Sequence, residues 1–283
     1  MKLDRKLTKT QEINIENLKN LLKELLDFYE SELKLAFEYK SNNNGQNNVE
    51  IFVYLSLCKI IKTLRAILLL SSEGYGEDAS VLSRTVFEGY INLAYVLKED
   101  SDIRVKLFNS FSDLDYYQKL NSLKATISDE KLVKSYEEAL KQYDVKKMEE
   151  IKSFRKSQKK KLEDKGYKGK TRDESWSLLS LKIMSDDVGM ISLYNQIYWQ
   201  VSQISHPHQR GLDNYLRNTE KSTIYNDSPT YNWVPESLFF SIDIFIRVLN
   251  LVNEHLISIE KRIVQFKSKL NDINFALSQE GNQ

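Results

Sequence analysis

Tyr194, Tyr198, Ser202 and His206 recur at four-residue intervals and run into His206-Pro207-His208, a spacing that stacks side chains along one helix face. A second polar ladder, Ser80, Arg84, Glu88 and Asn92, lies in an otherwise apolar stretch. Two such stripes on two helices point to a buried or half-buried polar site, in which His206 is poised for proton transfer and Arg84 and Glu88 supply the charged groups. Ser202, Tyr198, Tyr194, Asn92 and His208 are the supporting groups. Pro207 disfavours helical geometry at His206, so the helix is expected to stop there, where its dipole favours a protonated imidazole.

Each of these groups also has a plainer reading. Arg84 and Glu88, four residues apart, suit an ordinary intrahelical ion pair, although the apolar helix around them points to burial within a wider polar network. His206 can serve as a helix cap, and tyrosines at helical spacing commonly fill a core. Ser202 has no nucleophile-elbow glycine pattern beside it, so nucleophilic hydrolysis is not expected. His206, His208 and Glu88 offer ordinary metal ligands, but there is no Glu-x-x-His pairing or Cys pair to complete a set, and no metal or other cofactor is expected. Glycine-rich phosphate loops of the Walker and Rossmann kinds are absent.

The charge is unevenly distributed. The chain totals +1, yet Lys146 to Arg172 holds twelve Lys or Arg against four Asp or Glu, leaving about −7 elsewhere. Within it, Lys159, Lys160, Lys161, Lys165, Lys168, Lys170 and Arg172 surround Tyr167. Lysines beside an aromatic ring can track a phosphate backbone while a base stacks, which makes RNA a candidate partner. A solvated Lys-rich linker is the alternative.

The elements that must position these groups are helices. Only 9 Gly and 3 Pro in 283 residues disfavour the tight turns of a sheet protein, and the expected fold is an all-α, multi-helix antiparallel bundle with a Lys-rich helical insertion or arm. Apolar periodicity predicts helices over about 14–40, 49–72, 78–98, 101–117 and 128–143, and a last helix over about 235–270. The expected organisation is an N-terminal helix with an Asn-rich linker (1–48), a helical bundle domain (49–270, with the basic insertion at about 144–173) and a frayed tail (271–283). Polar residues 214–235, with Tyr215, Tyr225, Tyr231 and Trp233, predict a long covering loop. Cys58 lies in an apolar run and can form no intramolecular disulfide, so a buried thiol in a reducing compartment is expected. The N-terminus has no apolar signal segment and no apolar run approaches the roughly 18 residues of a membrane span, so the chain is expected to be cytoplasmic, without a membrane partner.

Ala79-Ser80-Val81-Leu82-Ser83-Arg84-Thr85-Val86-Phe87-Glu88, and Trp176 followed by the tyrosine ladder to His206, resemble a bacterial helical family known only as a domain of unknown function, over about Ile51 to Tyr215. The architecture is also similar to HEPN-type helical bundles. That resemblance implies a metal-independent ribonuclease or RNA-binding effector of a defence or toxin system, in which His206, Arg84 and Glu88 would be catalytic. The HEPN motif places an Arg a few residues before a His on one segment, whereas here Arg84 and His206 belong to different helices and Arg210 follows the histidines. A non-catalytic interaction or ligand-binding module, pairing with a second copy or a partner protein, and a metal-dependent hydrolase are the competing expectations.

Overall fold

The computed structural model of the chain describes residues 7–38, 47–198, 201, 216–218, 223–225, 229 and 231–280. The fold is all-α with one short hairpin, and the chain divides into two compact units. Unit 1 combines Met1–Lys98 with Ser185–Gln283, and unit 2 is Glu99–Met184.

Unit 1 is built on α1 (Lys9–Phe28), α2 (Asn48–Ser72), α3 (Gly76–Lys98), α9 (Val234–His255) and α10 (Glu260–Glu280). Thr8 and Asn47 start α1 and α2 with reciprocal capping boxes to Gln11 and Glu50, which satisfy backbone donors that a helix start otherwise leaves unpaired. α1 continues into a π-helical turn at Tyr29–Leu33. The core is the apolar face of each helix: Leu18, Leu22 and Leu25 of α1, Leu57 and Leu64 of α2, Val86 and Ile91 of α3, and Leu238, Ile242, Phe245 and Leu249 of α9 are all fully buried. α3 packs along both α2 and α9, and α1 packs on α2, α9 and α10. The N-terminal helix is thus part of this unit, and α10 extends to Glu280.

The expected last helix is two helices. The Asn253 side chain accepts from the Ile259 amide at 2.7 Å, and the Leu256 and Ile257 amides both return to the Val252 carbonyl. Asn253 thereby closes α9 and turns the chain into α10. Leu256 and Ile259, inside the helix expected over about 235–270, consequently sit half-buried at the corner. At the end of α3, Lys98 donates to both the carbonyl and the carboxylate of Asp187, the latter at 3.0 Å. Within the expected 214–235 loop, β1 (Leu216–Asn218) and β2 (Thr223–Tyr225) pair antiparallel, with Arg217 opposite Ile224. Cys58 is half-buried, not sealed, with its Sγ 3.6 Å from the Tyr29 hydroxyl.

Unit 2 contains α4 (Ser101–Thr126), α5 (Glu130–Leu140) and α6 (Val145–Leu162), the last passing into a π-helical turn at Glu163–Tyr167. Asp129 and Asp144 cap α5 and α6 by accepting from amides of their first turns. The Lys-rich segment is therefore helical from Val145 to Leu162, while Lys168, Lys170 and Arg172 follow its π-helical turn. α4 packs on both α5 and α6. After that π-helical turn the chain stays non-helical through Ser180, with Leu178 held at φ +64° and fully buried, before α7 (Leu181–Asp187) begins. The short α8 (Ile191–Leu193) leads into a third π-helical turn, Tyr194–Tyr198.

Candidate functional site

The α3 ladder is formed as its spacing predicts, in part. Arg84 Nε donates to Glu88 Oε1 at 3.0 Å, and the pair is half-buried, at 25 % and 38 % side-chain exposure. That places it on the flank of α3 and not in the core, because the buried face is taken by Val86, Phe87, Tyr90 and Ile91. Ser80 turns inward: its hydroxyl lies 3.2 Å from that of Ser237 on α9, and Ser83 donates to the Ser80 carbonyl at 2.7 Å. Asn92 is half-buried two turns beyond Glu88's predecessor ladder position.

The second ladder is only partly within the described residues. Tyr194 is half-buried, and its amide donates to the Met190 carbonyl at 2.9 Å. Tyr198 closes the π-helical turn that starts at Tyr194, so the first interval of the ladder is π-helical and not α-helical. Ser202, His206 and His208 lie outside the described residues. One link between the ladders is nevertheless in place. Val201, the residue before Ser202, lines a pocket of ≈ 250 Å³ together with Ser80 and Ser83 of α3 and Trp233, Glu236, Ser237, Phe239 and Phe240 around the start of α9. Val201 therefore lies beside Ser80, the first rung of the α3 ladder.

The larger feature belongs to unit 2. An open cleft of ≈ 950 Å³ lies between α4, which contributes Phe111, Leu114, Asp115 and Gln118, and α6, which contributes Lys152, Arg155, Lys156, Lys159 and Lys160, with Glu163 from the turn that follows it. Asp173 and Glu174 form its end. Arg155, only 5 % exposed, holds this end to α6: its Nη1 donates to the Trp176 carbonyl at 3.1 Å, and its Nη2 to the carbonyls of Asp173 and Ser175 at 3.0 and 2.8 Å. Its guanidinium lies 4.9 Å from the Phe111 ring centre. Burial lowers the Arg155 pKa and the neighbouring Asp173 charge opposes that. The arrangement fixes a cation without neutralising it, since carbonyl oxygens satisfy its donors but carry no net charge.

The lysines of the cleft are not equivalent. Lys159 pairs with Asp173 at 2.6 Å, and that hydrogen bond raises its pKa. Lys152 pairs with Glu149 at 2.6 Å and Asp115 is taken by Lys119 at 2.6 Å. Glu163 accepts from the Thr171 hydroxyl at 3.0 Å. Lys156 and Lys160 make no ion pair among the described residues, and they face the cleft. Of the other basic residues read from the sequence, Lys165 reaches Glu99 at 3.4 Å and Asp100 at 3.9 Å, while Lys161, Lys168, Lys170 and Arg172 also have no ion pair among the described residues. Tyr167 ends the π-helical turn after α6 and does not line the cleft. The aromatic ring beside the basic groups is Phe111.

A family of unknown function, DUF5677, matches residues 50–223. The chain belongs to this family. The match spans α2 to the hairpin, so it takes in α3, the whole of unit 2 and the tyrosine ladder, close to the segment whose motifs resembled a helical family of unknown function. No curated protein and no solved structure matches the chain. Among the described residues no helix is long and apolar enough to cross a membrane, and no group of three or more His, Cys, Asp or Glu is placed to hold a metal ion.

Sequence reasoning passed over Arg155, Lys156 and Phe111. Arg155 is one cation in a run of twelve, and only the carbonyl triplet it meets distinguishes it. Ser237 was more legible, because a hydroxyl on the apolar face of a long helix must find a partner.

Proposed function

We propose that the protein is an RNA-binding effector that grips a phosphate backbone in the α4–α6 cleft, acting in the cytoplasm as an HEPN-like ribonuclease or RNA sensor of a bacterial defence or toxin system. The observation that supports this reading is the pair Lys156 and Lys160, facing an open cleft beside Arg155 and Phe111 with no ion pair of their own among the described residues. Two adjacent turns of α6 presenting ammonium groups suit successive phosphates, and a ring in the same cleft offers a stacking surface. Lys161, Lys168, Lys170 and Arg172 extend the positive surface beyond it.

Catalysis, in this proposal, belongs to His206 with Arg84 and Glu88. His206 takes or gives the proton at the ribose 2′-hydroxyl or leaving oxygen, Arg84 stabilises phosphorane charge, and Glu88 holds the Arg84 guanidinium through the 3.0 Å contact. Cleavage of total RNA by the native chain and its loss in His206→Ala is the expected result. Absent native cleavage, or equal cleavage by both, removes the ribonuclease step and leaves the binding step to its own test.

The direct Arg84–Glu88 pairing also supports a non-catalytic module, possible partners being a second copy or another protein. In that case Arg84→Ala and Glu88→Ala change stability alone, lowering it by the few tenths of a kcal/mol to about 1 kcal/mol expected of a half-exposed pair.

A further inference from the structure

We infer that the ≈ 250 Å³ pocket of unit 1 is a binding site for a single guanine base. The size excludes more: pockets for drug-sized ligands occupy about 300–1,000 Å³, so this one holds one ring system and not a stretch of chain. Its walls include Trp233 and Phe239, both half-buried with part of each side chain open, and the buried Phe240, which packs on Phe87 with ring centres 5.9 Å apart. Such walls suit a flat aromatic ligand.

The polar groups specify which base. Ser237 sits within reach of the Trp233 carbonyl and of the Gly76 carbonyl, the latter at 3.3 Å, so its proton goes to a carbonyl. Ser80, 3.2 Å from the Ser237 oxygen, then donates to Ser237. Ser83 gives its proton to the Ser80 carbonyl at 2.7 Å. All three protons are spent inside the protein, and what Ser80 and Ser83 offer a ligand is lone pairs. Glu236, at the mouth, adds a carboxylate. It sits in the first turn of α9, yet α9 has no side-chain cap hydrogen bond, and Glu236 makes no ion pair among the described residues. Among the described residues the serines and Glu236 therefore present acceptors, while the Trp233 indole N–H is a donor on the wall.

A ligand matched to it carries donors on one edge and an aromatic face. Guanine does so best among the bases: its N1–H and N2–H₂ are adjacent and parallel, the geometry a carboxylate accepts in a bidentate pair. Adenine and cytosine offer an amino group beside a ring acceptor, which would face the Glu236 carboxylate unfavourably. A site that hydrogen-bonds a donor discriminates strongly against the analogue lacking it. The inference rests on the RNA reading for the source of the base and names the base that the effector would select.

The experiment is a calorimetric titration of the full chain with guanosine, inosine and adenosine, repeated with Glu236→Gln and, separately, with Lys156→Gln/Lys160→Gln. Guanosine is expected to bind at least ten-fold tighter than inosine, which lacks the N2 amino group, and tighter than adenosine. Glu236→Gln should remove most of that preference, while the double lysine variant keeps it. Equal affinity for guanosine and inosine, an unchanged preference in Glu236→Gln, or no nucleoside binding overturns the assignment. RNA binding that depends on Lys156 and Lys160 with no guanosine preference would leave the cleft reading standing and sink this one; guanosine selectivity without RNA binding would do the reverse.

Discussion

Replacing Arg155 by Ala should destabilise unit 2 selectively and heavily. The guanidinium donates to three backbone carbonyls, at 3.1, 3.0 and 2.8 Å, and stacks on Phe111 at 4.9 Å. A hydrogen bond from a charged donor contributes about 1.5–3 kcal/mol, but three acceptors sharing one cation are coupled and do not add. Removing the guanidinium leaves carbonyl acceptors without their donor, and a buried acceptor left unsatisfied costs about 1–3 kcal/mol, so a loss of about 3 kcal/mol is expected here. Arg155→Lys keeps the charge but presents one ammonium in place of a planar fork, so it should recover less than half of the loss. Hydrogen–deuterium exchange read by mass spectrometry reports local opening peptide by peptide, and the peptides of 145–180 should exchange faster in Arg155→Ala while those of α2 and α9 stay protected. A loss below about 1 kcal/mol, the scale of an exposed pair, would refute the view that Arg155 holds the cleft together.

Gly76→Ala should be among the most damaging single-carbon additions to the chain, since the new Cβ would lie 1.7 Å from the Asn232 carbonyl oxygen; overpacking of this kind costs about 1–3 kcal/mol or more, and a urea midpoint equal to that of the native chain would contradict the packing of α3 against the start of α9. Burial first, and then the hydrogen bond with Cys58, raise the Tyr29 pKa, so the fold favours its neutral form. Its contribution to stability is then complete below the unfolded tyrosine value of about 10 and declines as pH rises above that. Melting temperatures should accordingly fall on the alkaline side, and Tyr29→Phe should flatten the fall; an unaltered slope contradicts the assignment, although Tyr90, raised by its own burial, leaves some slope in either chain.

Helix existence was legible wherever one face was apolar and a cap residue preceded it. α2 and α5 appear close to their predicted spans, for Asn47 and Asp129 mark their starts. The break between α9 and α10 was not legible, because the apolar period runs through it and the stop comes from a side-chain bond six residues away, Asn253 to Ile259. The hairpin was hidden for a similar reason: a ladder of three residues per strand is too short for alternation to rise above its polar surroundings. At the site, periodicity found the Arg84–Glu88 contact but overestimated its burial, since a helix with many apolar residues can still turn one flank outward. The division of the basic segment into paired lysines and the unpaired Lys156 and Lys160 depends on where Asp173 returns to α6, which only the fold determines.

The most direct test of the central claim is the affinity for single-stranded RNA as a function of salt concentration, for the native chain and for Lys156→Gln/Lys160→Gln. Each phosphate contact on a single strand contributes about −0.7 to the slope of log affinity against log salt, so losing two should make the slope shallower by about 1.4, with weaker binding at every salt concentration. No native binding, or a slope and affinity unchanged by the double substitution, would contradict the account.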